Sequence, residues 1–212
     1  SHGGLFNVSA INSHATYGAL GFPNADVAVL TLTEDVTGIA PMPLNRIDPS
    51  GHYGSTATIV GFGQSEGSAG DYGLRRKGNV ELASCSGTPS GTSNTELVCW
   101  NFTNPVGDPG VDSNTCNGDS GGPLFADFGA GTVVAGITSG GSNFSCLATD
   151  QSYDANVYTY QTFIDTHLGS DSVLTCGSVG VVETSTVTTH NFAGSLSSTN
   201  TSEDFSFAVP AG

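Results

Sequence analysis

The chain has 212 residues, enough for one good core or two small ones, and its 30 glycines predict many tight turns. Its 19 acidic residues outnumber 4 basic ones, a net charge of -15, which argues against nucleic acid as a partner because phosphate neutralisation needs surface Lys and Arg. No apolar run reaches the roughly 18 residues of a membrane helix and no signal-peptide pattern opens the sequence, so we expect no membrane contact. Because the sequence begins with Ser1 rather than a methionine, we expect a processed or trimmed chain.

Short runs rich in β-branched residues alternate with turn signals and predict an all-β protein. The predicted strands are residues 27–32, 56–60, 79–83, 96–100, 132–138 and 156–160. One helix is predicted over residues 159–168, where apolar side chains recur at helical spacing and Gly169 follows as a stop signal. We expect no other helix.

Composition divides the chain into four parts. Residues 1–40 and 55–170 hold the two groups of predicted strands, and residues 41–54, with three prolines and two glycines, form the connector between them. Residues 171–212 are rich in Ser, Thr, Val and Gly and alternate in stretches such as VGVVETSTVTTH. This tail predicts the start of a small, separate β-sandwich module, with a Ser/Thr-rich linker as the alternative.

The cysteines favour disulfides over zinc, because they include neither a C-x-x-C pair nor a paired histidine motif. Disulfides predict a compartment outside the reducing cytosol, so we expect a secreted, extracellular protein. The number is odd, which leaves at least one cysteine free or bonded to another polypeptide. The five are Cys85, Cys99, Cys116, Cys146 and Cys176.

The stretch CNGDSGGPL, residues 116–124, places a serine among three glycines. Gly118 and Gly121 allow a sharp turn that brings the N–H groups of Gly118 and Ser120 to the side of the serine oxygen. Such donors stabilise a developing oxyanion, and removing one typically costs about 100-fold or more in rate. Ser120 is therefore predicted to be a nucleophile. A purely structural turn explains six specified residues, G-D-S-G-G-P, less well.

This stretch resembles the nucleophile loop of the chymotrypsin/trypsin-like serine endopeptidases. NADVAVLTL, at 24–32, is similar to the segment carrying the triad aspartate, which implies that Asp26 orients the general base. IVGFG, at 59–63, resembles the strand that opens the second barrel. GITSGG, at 136–141, resembles the substrate-binding strand, and NVYTYQTFID, at 156–165, the last strand leading into the C-terminal helix.

The similarity covers roughly residues 8–169, and the motifs occur in the family's order. It implies a double Greek-key β-barrel that lacks the first strands of barrel one, followed by one C-terminal helix and a short β-rich tail. It also implies two disulfides, Cys85–Cys99 and Cys116–Cys146, with Cys176 left over. Asp119 would pair with the ammonium of a new N-terminus, as in an activated zymogen.

The resemblance implies a specificity pocket but not its preference. Asn114 would form the base, Ser139 and Gly141 one wall, and Asn156 would narrow the pocket. A buried cation without a counter-charge costs several kcal/mol, so Asn114 argues against strict Arg/Lys preference unless Asp112 supplies the carboxylate. The absence of Lys and Arg after residue 77 argues weakly the opposite way.

The basic cluster at residues 75–77 has two interpretations. It predicts a solvated turn before a strand, and the alternative is an exposed site for self-cleavage.

The general base is missing from the recognisable motifs, because no part of the chain contains the family's Ala-Ala-His-Cys sequence. His14 resembles a non-catalytic histidine that precedes the aspartate in this family. His52, His167 and His190 are predicted to be surface residues, and His2 lies in an N-terminal SHGG. We therefore expect an N-terminal segment on another chain to carry the base, with a truncated fragment as the second explanation and a pseudoenzyme as the third.

The sequence thus predicts a secreted serine endopeptidase that acts on polypeptides through an acyl-enzyme on Ser120, without metal or organic cofactor. This chain alone is expected to be inactive without its companion segment. A catalytically silent homologue that binds a protein partner through the old cleft is the alternative.

Overall fold

A computed structural model describes residues 5–36, 39–86, 92–103 and 112–168. The expected tail at 171–212, with Cys176 and His190, and His2 at the other end lie outside these ranges. The first three elements are β1 (Val8–Ser13), α1 (Ala15–Leu20) and β2 (Ala28–Leu32). The expectation of a single helix is wrong, because the His14 side chain accepts from Thr16 N and caps the short helix α1. The remaining elements are β3 (Thr56–Gly61), β4 (Arg76–Ala83), β5 (Leu97–Phe102), β6 (Pro123–Asp127), β7 (Thr132–Gly141), β8 (Asp150–Asn156) and α2 (Val157–Thr166), with short 3-10 turns at Pro49–His52 and Asn94–Glu96.

Six antiparallel strands close into a barrel in the order β3-β4-β5-β8-β7-β6. On β3, β4 and β6 the buried residues recur two apart, which is the period expected of a sheet with one face in the core. Trp100 is completely buried and is the largest interior side chain. The interior is filled by Ala57, Ile59, Val80, Leu82, Val98, Trp100, Leu124, Ala126, Phe128 and Ala135.

Strands β1 and β2 form a separate two-stranded antiparallel ladder. One face of this ladder is open to solvent: Ile11 and Leu30 are paired across it and are 68% and 54% exposed. The other side reaches a second apolar cluster through Val29. Two strands alone are marginally stable in water, so the ladder depends on what it packs against.

The second cluster joins the segment before β2 to the end of the chain's described part. Ala25 and Val27 pack with residues of α2, including Tyr160 and Ile164. These contacts hold both neighbours of Asp26 in the interior and thereby fix the position of that acid.

Strand β8 ends where a strand was predicted to begin. The expected strand at 156–160 is wrong because the Asn156 side chain accepts a hydrogen bond from Tyr158 N, at 3.1 Å, and caps α2 at Val157. For the same reason the segment at 156–165 that resembles a final strand is almost entirely helical. The strands predicted at 27–32, 56–60, 79–83, 96–100 and 132–138 are confirmed as β2, β3, β4, β5 and β7.

Both expected disulfides are present. Cys85 is bonded to Cys99 and Cys116 to Cys146. Among the helices of the described ranges, none combines the length and apolar character needed to cross a membrane.

Candidate active site

The loop around Ser120, residues 116–122 and here called the serine loop, requires glycine at two positions for different reasons. Gly118 has φ +95°, and a Cβ there would lie 2.7 Å from the Tyr72 ring. A Cβ at Gly122 would lie 2.8 Å from the carbonyl oxygens of Asp119 and Val60. The loop therefore packs closely against its neighbours while Ser120 itself stays exposed at the surface.

Strand β7 holds this loop in place through backbone hydrogen bonds. Gly121 N donates to Thr138 O at 2.9 Å, and Thr138 N donates to Gly122 O at 2.8 Å. The Cys116–Cys146 disulfide fastens the start of the loop to the segment after β7. Ser120 is thus presented on a rigid support.

The amides of Gly118 and Ser120 are the two donors that the sequence assigns to an oxyanion. In the part of the chain that the structure describes, neither amide donates to a protein acceptor. Both residues are exposed at the surface of the protein.

Asp119 points away from Ser120, into the protein. Its two carboxylate oxygens accept from Gly63 N at 2.7 Å and from Cys116 N at 2.8 Å. A Cβ at Gly63 would lie 2.7 Å from this carboxyl group, which explains why the second glycine of IVGFG is required. A cavity of about 200 Å³, here called the Asp119 cavity, adjoins it and is lined partly by Asn114.

Asp26 is held by the same strand as the serine loop. The Ser139 hydroxyl donates to Asp26 Oδ2 at 2.8 Å. Ser139 directly follows Thr138, whose backbone pairs with the serine loop, so consecutive residues of β7 hold the two predicted triad members. The sequence assigned Ser139 only to the pocket wall and missed this contact.

A cavity of about 250 Å³ lies beside Ser120 and is called here the serine cavity. Ser139 and Gly141, the predicted pocket wall, are among the residues that line it. Asn156 does not reach it, because it caps α2 and its amide donates to Thr95 O at 3.0 Å. Asp112 also lies elsewhere, accepting from Thr103 N at 3.3 Å.

The acid that lines the serine cavity is Asp150, the first residue of β8. Asn114, the predicted pocket base, does not line this cavity but donates to Asp150 Oδ2 at 2.8 Å. Burial raises the pKa of Tyr153, with further contributions from the negative charges of Asp150 and Asp26. The negative charges of both carboxylates therefore act on one buried phenol.

The histidines of the described ranges all contact other parts of the molecule. His14 caps α1 and lies 5.4 Å and 4.9 Å from the ring centres of Tyr160 and Phe163. His52 packs against Phe128 and His167 against Phe163. None of these three lines the serine cavity.

The basic cluster at 75–77 is more ordered than a solvated turn. Arg76 pairs with Asp71 at 2.7 Å and donates to Gly63 O at 2.8 Å. Asp71 also accepts from Ser65 N, and this hydrogen bond is the main cause of a lowered pKa for that carboxyl. Arg76 therefore orders the loop that contains Tyr72, whose ring packs against Gly118 of the serine loop.

Asp154 is a completely buried acid on β8. Neither of its oxygens has a hydrogen-bond partner among the described residues. Burial, opposed weakly by nearby Thr138, raises the pKa of Asp154 well above its ordinary value. Burial therefore disfavours the ionised form of this acid in the folded protein.

This burial predicts a pH dependence of stability. In the unfolded chain Asp154 ionises near pH 4, so between that pH and the raised folded pKa the unfolded state is favoured increasingly as pH rises. The side chain of an Asp154→Asn variant cannot ionise. The free energy of unfolding of the variant, minus that of the wild type, is therefore expected to increase from pH 4 to pH 7. Urea unfolding at both pH values measures this increase, with the exposed Asp35→Asn as control. Parallel pH profiles for the wild type and the Asp154 variant would contradict it.

Comparisons with known proteins agree with this architecture. The model of the Trypsin family matches residues 1–164. The curated relative "Fibrinolytic enzyme, isozyme C" of Lumbricus rubellus is 31% identical over 143 residues, which are 63% of this chain and 57% of that enzyme. The chain thus spans little more than half the length of this relative.

The solved structure of neuropsin, described as a serine protease expressed in the limbic system of mouse brain, is also similar. It superposes with a TM-score of 0.62 at 21% identity, over 76% of this chain and 70% of neuropsin. The fold is the chymotrypsin-like one that the motifs implied. With a family model that covers residues 1–164 of 212, this chain belongs to the trypsin family of serine proteases.

Proposed function

We propose that this chain is part of a secreted serine endopeptidase that cleaves polypeptides through an acyl-enzyme on Ser120. One observation carries the proposal: β7 holds the serine loop through Thr138 and Asp26 through Ser139. An exposed serine, two amides without a protein acceptor among the described residues and an oriented carboxylate correspond to three of the four parts that acyl transfer by a serine requires.

The proposed reaction begins with attack of Ser120 Oγ on the carbonyl carbon of the substrate, while an imidazole takes the hydroxyl proton. The amides of Gly118 and Ser120 stabilise the oxyanion of the tetrahedral intermediate. Asp26 stabilises the imidazolium, which then protonates the departing amine. Water, deprotonated by the same imidazole, hydrolyses the acyl-enzyme. The scheme uses no metal or organic cofactor.

We assign the imidazole to a companion N-terminal segment of the same precursor. Its support is that His14, His52 and His167 all pack elsewhere. The open face of the β1–β2 ladder, with Ile11 and Leu30 exposed, suits further strands of the same barrel. The chain alone is then inactive.

The Asp119 cavity suits the N-terminal ammonium of that segment. Each oxygen of Asp119 accepts one backbone amide and retains a second lone pair, so the carboxylate can still accept from a cation. The cavity volume of about 200 Å³ has room for an end of a polypeptide. Secretion is proposed because the chain has two disulfides, and disulfides form and persist in an oxidising compartment.

A silent homologue that binds a protein partner is the second candidate, favoured by the positions of the three described histidines. A fluorophosphonate reagent separates the two functions. Material purified with its companion segment is expected to form an adduct that mass mapping assigns to Ser120, while the chain alone and a Ser120→Ala variant remain unlabelled. A folded two-polypeptide preparation that stays unlabelled would favour the silent homologue and end the protease proposal.

A further inference from the structure

We infer that the serine cavity selects a positively charged side chain and that Asp150 is the residue that determines this selectivity. The inference rests on the proposed function, which makes this cavity the site for the substrate residue next to the cleaved bond. Asp150 comes from β8, not from the loop before Ser120, where the family pattern pointed to Asn114.

Asp150 is a buried acid without a cation. It is 6% exposed, lines the serine cavity and contacts only neutral donors among the described residues. Arg46 and Arg76 form their ion pairs elsewhere, with Asp165 and Asp71. A carboxylate placed in this way is stabilised further by a cationic ligand that enters from the cavity.

The hydrogen bonds of Asp150 leave room for such a ligand. Oδ1 accepts from the Ser142 hydroxyl and from Asn143 N, both at 2.8 Å, and Oδ2 accepts from Asn114 at 2.8 Å. Ser152 Oγ lies within hydrogen-bond distance of both Asp150 Oδ2, at 3.1 Å, and Asn114 Oδ1, and its single proton serves one of them at a time. When that proton is directed to Asn114, one lone pair of Oδ2 and those of the Ser152 oxygen can accept from an ammonium or amidinium.

The mouth of the cavity suits the stem of a long cationic side chain. Phe22 and Phe144 line the cavity and are 53% and 87% exposed. A Cβ at Gly141 would lie 2.7 Å from Asp150 Oδ2, and one at Gly140 would lie 2.9 Å from the Phe22 ring. The two glycines keep the route to Asp150 open between aromatic walls that pack on an apolar stem.

The composition of the chain agrees with this selectivity. Only 4 of its 212 residues are Lys or Arg, and Arg46 and Arg76 are held in ion pairs. A protease that cuts after cationic residues would find few sites on itself. The net charge of -15 also favours the approach of cationic peptides.

Binding of benzamidinium, a planar aromatic cation, tests the inference without catalysis. Titration of the folded chain, followed by NMR or calorimetry, is expected to give at least tenfold tighter binding for benzamidinium than for neutral benzamide. Asp150→Asn is expected to remove this difference. Asp112→Asn removes the same charge away from the serine cavity and is expected to preserve the difference.

Equal affinity of the wild-type chain for benzamidinium and benzamide would overturn the inference, whether or not the Asp150 variant folds. A preference that persists in folded Asp150→Asn would overturn the role of that residue. This binding needs no imidazole, so the two proposals can fail separately. Labelling of Ser120 without a preference for the cation would contradict only the proposed selectivity. Binding of the cation without labelling of Ser120 would contradict the proposed protease function.

Discussion

Asp26→Asn is expected to lower kcat of the assembled protease about 10⁴-fold, the loss that follows when the carboxylate of such a triad becomes an amide. The Ser139 hydroxyl donates to Asp26 Oδ2 at 2.8 Å, and it can donate in the same way to the amide oxygen of the asparagine. The imidazole, however, would lose the charge that stabilises its protonated form and would be held in the wrong tautomer. Steady-state hydrolysis of a peptide substrate near pH 8 measures the effect.

The matched control for this variant is Asp35→Asn, which removes one acid from the same half of the molecule at an exposed position. Its kcat is expected to equal that of the wild type. If Asp26→Asn lost no more than about tenfold in folded, assembled protein, Asp26 would not be the carboxylate of the triad and the proposed mechanism would fail.

Trp100→Ala is expected to lower the free energy of unfolding by about 3–5 kcal/mol, the range for removing a large aromatic side chain from a core. Trp100 has no exposed surface and lies beside Leu82 and Ser152 on its two neighbouring strands. Its indole N–H has no hydrogen-bond partner among the described residues, so the loss comes from packing.

Urea unfolding measured by circular dichroism tests the Trp100 prediction. Trp100→Phe keeps an aromatic ring in the barrel and is expected to cost clearly less than the alanine variant. A loss below about 1 kcal/mol for Trp100→Ala would show that this barrel is not closed around the indole.

The strands that the sequence predicted share a simple pattern of apolar and β-branched residues. Strand β8 has no such pattern: all of its residues are buried, yet most are polar, as in Asp150, Gln151 and Ser152. Neither alternation nor an apolar run marks a strand whose polar side chains hydrogen-bond across the barrel wall. The helix that follows begins about two residues before its predicted start, because the β-branched and aromatic residues after the cap at Asn156 were assigned to a strand.

The candidate reactive residues were easier to locate in the sequence than the acid of the cavity. Ser120 and Asp26 lie in local motifs that spacing and resemblance single out, and in the structure both segments contact β7. Asp150 is 36 residues from Asn114, beyond a disulfide and a loop. Its arrival beside Asn114 depends on the pairing of β7 with β8, which no local pattern in either segment reveals.

Strand β7 contacts the serine loop and Asp26 through adjacent residues, whereas Asp150 and Ser152 on β8 line the serine cavity. If Ser120 and Asp26 act as proposed, substitutions at Thr138 or Ser139 are expected to disturb reactivity and recognition together. Substitutions at Asp150 or Ser152 are expected to act first on recognition. New substrate preferences then have an evolutionary route through these two positions, along which the proposed catalytic residues stay in place.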